Sequence, residues 1–302
     1  MKYVIQVHDG DNSTANVKKI IVEDGVVQIF NNSNISQRVK YVDTEGFTVL
    51  PGKVILKENV LTQMTEDDMI SFSKHLFLHG FSTFIHLIEI NYESETGKFL
   101  ESSRHLLKKC PADYIHAVRL PLRRLTPSWV RKLKKLSVPL IVFTVQTEDD
   151  LNKAPWQRLI EAAFPLRMMF IFDQKNSDLR ERQKLKAQQC WEQIVKFRRI
   201  NSYFQLPEQH EALPLLFLKR MGLYPQKGTF DSGAHADYFM YWEKDLNETV
   251  EGLHLPDVIV LKGHVVKSGS YWFIEEAVGC ELTSTMPEQF LSISEVHQYT
   301  VK

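Results

Sequence analysis

The chain has 302 residues, 43% of them hydrophobic, with 37 Lys plus Arg balanced by 37 Asp plus Glu. It reads as an ordinary globular protein of one large or two small domains, and a net charge of zero gives no footprint for a polyanion. Cys110, Cys190 and Cys280 show no paired spacing; this argues against a disulfide framework or a thiolate zinc site and fits a reducing cytoplasm.

The first segment, "MKYVIQVHDGDN", has no apolar core of a signal peptide, and no apolar run in the chain reaches bilayer length. Neither a membrane nor a nucleic acid is therefore an expected partner. Residues 1–52 carry β signals: Val- and Ile-rich runs separated by turns, with a hairpin expected at "EDGVV". From 53 to 221 the pattern changes. The apolar runs "KVILKEN", "FSTFIHLIEI", "ADYIHAVRL", "VPLIVFTV" and "RMMFIFD" alternate with amphipathic helical segments. "TEDD" at 65–68 and again at 147–150 places carboxylates in a first helical turn behind a Thr cap. The basic runs "LPLRRL" and "WVRKLKKL" read as the solvated face of one amphipathic helix. "NSDLRERQKLKAQQCWEQIVKFRR" reads as a long helix. Repeated strand–helix units imply parallel strands. After residue 221 strand-like runs return in "GTFDSG", "ADYFMYW", "DVIVLKGHVV", "GSYWFI" and "CELTST".

"GLYPQKGTFDSGAHADYFMYWEKD" (222–245) resembles the segment after the barrel in the cyclic amidohydrolases, the dihydroorotase, dihydropyrimidinase and allantoinase group. The family pattern is roughly Gly-Leu-x-Pro-x-Lys-Gly-x-Ile-x-x-Gly-x-Asp-Ala-Asp. Leu223, Pro225, Lys227, Gly228, Gly233, Ala236 and Asp237 match it, and His235 stands where the family has Asp. "IIVEDGVVQIF…YVDTEGFTVLPG" and "KHLFLHGFSTFIHL" resemble the family's amino-terminal strands and its first helix and second strand. The resemblance implies an α/β architecture: a (β/α) barrel of parallel strands over 53–221, and a small β-sandwich domain composed of 1–52 and 222–302. About 170 residues between the β-rich ends are too few for eight strand–helix units, so the barrel is expected to be incomplete. Its open edges would be covered by the long helix, by a second copy or by a partner protein.

The family's first barrel strand ends in His-x-His; here the corresponding positions are Lys57 and Asn59. Ile141 aligns with the family's carbamylated lysine, and Phe172, beside Asp173, with a further histidine. The resemblance therefore implies a degenerate member without metal or other cofactor, a pseudoenzyme with a binding, scaffold or regulatory role. The alternative is a hydrolase of cyclic amides or ureides with a rearranged, metal-free site. For that site the catalytic candidates are His86, His116 and Asp173: pointing inward, the two histidines would meet Asp173, Glu89 and Arg119 at the strand ends, and the alternative is that they are buried, hydrogen-bonded histidines or face the outer helices. Asn59, Glu89 and Arg119 join Lys57 as candidate ligand-binding residues. Lys57 offers either a site for a small anionic ligand or an ion pair to Asp173. His75 and His79, at i and i+4, read as helix-face histidines without a metal.

Overall fold

The computed structural model describes residues 1–8, 17–28, 39–58, 64–242, 255–274, 277, 279–284 and 286–296. Strand β1 (Lys2–His8) pairs antiparallel with β2 (Val17–Glu23) and parallel with β4 (Lys40–Val42). β2 turns into β3 (Val26–Gln28) through Asp24 and Gly25, both at positive φ (48° and 78°). That is the two-residue turn expected at "EDGVV". Gly25 has a second constraint: a Cβ there would lie 2.4 Å from the Lys262 carbonyl oxygen. β5 (Phe47–Pro51) leaves this sheet and pairs antiparallel with β11 (Tyr238–Trp242). It is thereby the edge of a second sheet continued by β12 (Val258–Leu261), β13 (His264–Ser268) and β14 (Tyr271–Trp272). Tyr3, Ile5 and Val22 of the first sheet share one apolar cluster with Tyr238, Met240 and Val260 of the second.

Between these sheets in sequence lie five parallel strands in the order β10-β9-β8-β7-β6, a curled half-barrel. They are β6 (Lys53–Glu58), β7 (Phe81–Glu89), β8 (Asp113–Pro121), β9 (Leu140–Thr144) and β10 (Met169–Phe172). The helices between them are α1 (Glu66–Leu78), α2 (Thr96–Leu107), α3 (Pro127–Lys135), α4 (Asp149–Lys153) and α5 (Trp156–Ala163). α1 starts as its sequence dictates: Thr65 and Asp68 form a reciprocal capping box. The second "TEDD" does less. α4 has five residues, and Asp150 instead accepts from the backbone N–H groups of Gln146 and Thr147.

Alternation along each strand divides the half-barrel into two faces. Ile141, Phe143, Phe170 and Phe172 pack under the helices with Trp156 and with Trp191 of α6 (Glu181–Arg198). Val54, Leu56, Ile85, Leu87, Ala117 and Ile171 face the other way. That inner face is filled by α7 (Leu215–Met221), through Leu216, Phe217 and Leu218. The long helix α6 thus belongs to the outer layer. The sheet edges are capped instead by the segment 200–213. Ser202 bridges Phe170 of β10 in parallel, and Ala212 bridges Ile55 of β6 antiparallel. Near the other terminus, Cys280 and Leu282 bond the backbone of Tyr114 below the start of β9. The run "GTFDSG" and the described residues 280–284 of "CELTST" are turns and a single bridge rather than the strands expected from their composition. The "HDGDN" turn lies largely outside the described residues. No described helix is long and apolar enough to cross a membrane.

Candidate functional site

The inner face ends, at the strand carboxyl termini, in Glu58, Glu89, Arg119, Thr144 and Asp173, each two residues on from an inner apolar residue. Three of them are bonded to one another. Arg119 donates from Nη1 to Glu58 Oε2 at 2.8 Å and from Nη2 to Glu58 Oε1 at 2.6 Å. Its Nη2 also lies 2.8 Å from Asp173 Oδ2. Asp173 accepts further bonds from the Asn176 backbone N–H at 3.0 Å and side-chain amide at 2.9 Å. Arg119 and Asp173 are almost fully buried. Burial opposes the Arg119 charge, but the Glu58 bonds and the Asp173 charge outweigh it and raise its pKa. A bidentate fork held in this way is rigid. Beside it lies a cavity of about 450 Å³ lined by Glu58, Asp173, Lys175, Asn176, Gln205 and Glu208 among others. Lys175 is itself paired with Glu208.

Only part of the expected constellation meets here. Arg119 and Asp173 do, whereas Glu89 is exposed at the end of β7. Lys57 does not reach Asp173, because it shares the outer side of β6 with Ile55, which packs against α1. Burial lowers its pKa. Its charge instead acts on His75, whose ring stands 4.3 Å from that of His79. Counting from Pro51-Gly52 places the family's ligand position at Lys57; in the structure Val54 and Leu56 take the inner face of β6, so alternation puts Glu58 inward and Lys57 outward. Ile141 and Phe172 are outer-layer core, and Asn59 lies outside the described residues.

His86 and His116 also fail to enter the mouth. Both face the helices and meet Ser103 of α2, with His86 Nδ1 at 3.0 Å and His116 Nε2 at 2.8 Å from its Oγ. His116 Nδ1 lies 3.1 Å from Glu281 Oε1, and Arg104 clamps the same carboxylate from Nε and Nη2. A carboxylate accepts only, so His116 carries a proton on Nδ1 towards Glu281. With His116 neutral, its Nε2 accepts from the Ser103 hydroxyl and His86 then donates to Ser103 Oγ from Nδ1; with both His116 nitrogens protonated, the two Ser103 bonds run the other way. Burial, with the neighbouring His116, lowers the His86 pKa to about 3. Burial alone would raise Glu281, but the His116 and Arg104 bonds bring it down to about 2. The order serine, imidazole, carboxylate is that of a nucleophile activated by an oriented base. Ser103, His86 and His116 are all buried. Neither Ser103 nor Glu281 stands out in the sequence, because no spacing relates residues 178 positions apart.

A second charged cluster sits below the sheet, where the 222–245 motif docks onto β8. Lys227 Nζ lies 2.6 Å from Asp113 Oδ2 and 2.5 Å from Asp237 Oδ2, and Lys262 Nζ lies 2.7 Å from Asp113 Oδ1. Asp113, His235 and Asp237 are, among the described residues, the set that could hold a metal ion. Two of the three already hold the Lys227 ammonium between them. Burial would lower the Lys227 pKa, but the Asp237 and Asp113 charges raise it instead. Lys227, Asp237 and Asp113 thus tie the carboxyl-terminal motif to the half-barrel.

No family model matches the chain, and no curated protein does either. Solved structures do match. The dihydropyrimidinase of Brevibacillus agri NCHU1002 superposes with a TM-score of 0.68 at 10% identity, over 95% of this chain and 99% of that one. The fold is that of the dihydropyrimidinases and hydantoinases. D-hydantoinase from Thermus sp. superposes at 0.65 with 13% identity, over 95% of this chain and 100% of that one. A further D-hydantoinase gives 0.64 at 11%, over 95% and 99%. Identity this low speaks for the fold alone. It accords with the family resemblance of the 222–245 motif.

Proposed function

We propose that this chain is a non-catalytic binding protein built on a hydantoinase-type fold, with its ligand site in the cavity at the strand carboxyl ends. The observation that carries this reading is the Glu58–Arg119–Asp173 network. The inward positions that would present a metal and its water hold a guanidinium whose two carboxylate partners are already engaged. A cation is thus supplied by the chain itself, and a divalent ion would compete with Arg119 for the same oxygens. The two terminal sheets, 1–52 and 222–302, are read as one composite β-sandwich domain attached to the 53–221 half-barrel. The cavity wall offers amide groups and more carboxylates than ammonium groups. With Lys57 turned outward, its ligand is a neutral or cationic polar small molecule rather than an anion. The strap over 200–213 takes up the sheet edges, so the proposal does not require a second copy of the chain.

A second reading has its own support. The Ser103–His116–Glu281 relay has the hydrogen bonds of a metal-free hydrolytic site, and the superposable solved structures are enzymes by name, dihydropyrimidinase and hydantoinase. This reading makes the chain a hydrolase of C–N bonds in cyclic amides or ureides. Its weakness is access, since Ser103 is only 5% exposed. Incubation with hydantoin and dihydrouracil, with and without added zinc, separates the two. The binding reading expects no ring opening above a protein-free blank. Turnover lost in Ser103→Ala would establish the relay as catalytic; turnover lost in Asp173→Asn would place a hydrolytic site in the mouth.

A further inference from the structure

α5 and α6 end on one shallow cavity at the amino-terminal end of β10, the end of the half-barrel away from the proposed ligand site. Phe164 follows the last residue of α5, and Phe197 stands in the last turn of α6. They are the two most exposed phenylalanines among the described residues, at 68% and 81%. Single apolar side chains scattered over a surface are ordinary, but these two share a patch. Phe164 and Arg199 line the same cavity, and Lys196 and Arg199 line the next. Phe197 lies between them in the chain, with the Arg198 guanidinium 5.4 Å from its ring centre. Lys196, Arg198 and Arg199 are all exposed and have no ion-pair partner among the described residues. Arg167, on the same rim, is paired with Glu288 at 2.6 Å. Glu161, one turn before Phe164 and held by Gln157 at 2.9 Å, sets a single exposed carboxylate against the three free cations. A helix end alone favours cations; it does not account for bare aromatic rings among them.

We infer that this end of the half-barrel docks on an anionic lipid bilayer. The Phe164 and Phe197 rings enter the boundary between headgroups and acyl chains, and Lys196, Arg198 and Arg199 meet the anionic headgroups. Protruding rings suit a fluid surface that opens around them, whereas a folded partner would have to supply two matching pockets. A second copy placed on this face about a two-fold axis would set the same three cations against themselves. The zero net charge of the chain conceals this local excess, and peripheral docking requires no spanning helix. The mouth, lined by Gln188 and Glu192 further back on α6, stays in water. The docking face therefore stands or falls without what the mouth binds.

The test is co-sedimentation of the full chain with vesicles of phosphatidylcholine containing about 30% phosphatidylserine, at about 0.1 M salt. The expected result is saturable binding, at least about tenfold stronger than to vesicles of phosphatidylcholine alone. At about 1 M salt, where the Debye length falls to about 3 Å, most of it should be lost. Arg198→Gln should weaken binding about fivefold, the share of one cation near such a surface. Phe197→Ala, and separately Phe164→Ala, should each weaken it about tenfold through the lost apolar contact. All three side chains are exposed, so the variants should keep the melting temperature of the parent, which separates lost docking from lost folding. Failure of the folded wild-type chain to sediment with the anionic vesicles would overturn the inference. So would equal binding to phosphatidylcholine alone, or unchanged binding when both rings are removed. Tighter binding of single-stranded RNA than of the vesicles, dependent on the cations and not on the rings, would give the patch to a nucleic acid and overturn it as well.

Discussion

Arg119→Met is the sharpest perturbation of the mouth. The methionine fills much of the space of the arginine stem but leaves Glu58 and Asp173 facing each other without the guanidinium. Asp173 is 2% exposed, so water cannot replace the lost donor there. Asp173 keeps the two Asn176 bonds, and Glu58, with 17% of its side chain exposed, can turn outward. Removing one partner of a buried ion pair costs about 3–5 kcal/mol, and these two reliefs favour the lower end. In a chain of this length each kcal/mol lowers the melting temperature by about 2 °C, so a loss of roughly 6 °C is expected. Urea unfolding followed by circular dichroism measures the free energy, and a thermal scan checks it. Glu58→Gln and Asp173→Asn, combined with Arg119→Met, should recover part of the loss because they remove the unpaired charges. A single-variant cost under about 1 kcal/mol, the range of an exposed pair, would refute the view that this network is a built part of the mouth.

Acid should weaken the fold through the relay beneath α2. His86 stays neutral when folded down to a pKa of about 3, against 6.5 when free, so the unfolded chain takes up the extra proton and stability falls as pH drops from 6.5 towards 3, by up to about 1.4 kcal/mol per pH unit. Glu281, lowered from 4.5 to about 2, adds its loss only below pH 4.5. His86→Gln should therefore flatten the urea midpoint between pH 6.5 and 4.5; an unchanged slope would contradict the assignment. Lys227→Met should cost more than Lys262→Met, because Lys227 is buried between Asp113 and Asp237 while the Lys262 side chain is 31% exposed; a reversed order in chemical denaturation would count against the buried-cluster account. Thr65→Ala removes the capping box of α1 and should cost about 1 kcal/mol by the same assay.

The architecture was legible where it rests on periodicity. The Asp24-Gly25 hairpin, the five parallel runs and the Thr65 cap all follow from local pattern. The strap over 200–213 was not, because each of its contacts with the sheet edges is a single bridge and leaves no alternation to read. The site was legible by half. Arg119 and Asp173 were anticipated, and they meet at the strand ends. Glu58 was missed and Lys57 misplaced because the count from Pro51-Gly52 falls one residue out of phase with the inner face held by Val54 and Leu56. His86 and His116 take the buried, helix-facing alternative rather than the mouth. Which face of a strand a histidine takes depends on what lies behind it, here Ser103 from the next helix and Glu281 from the far end of the chain.

The central claim is that the strand-end mouth is occupied by the chain's own guanidinium in place of a metal. Elemental analysis tests it most directly, on protein prepared without chelator from medium supplemented with zinc and manganese. The account predicts well under one transition-metal ion per chain, unchanged in Asp173→Asn. One or two ions per chain in the wild type, lost in Asp173→Asn or Glu58→Gln, would contradict it and give the mouth to metal-assisted hydrolysis.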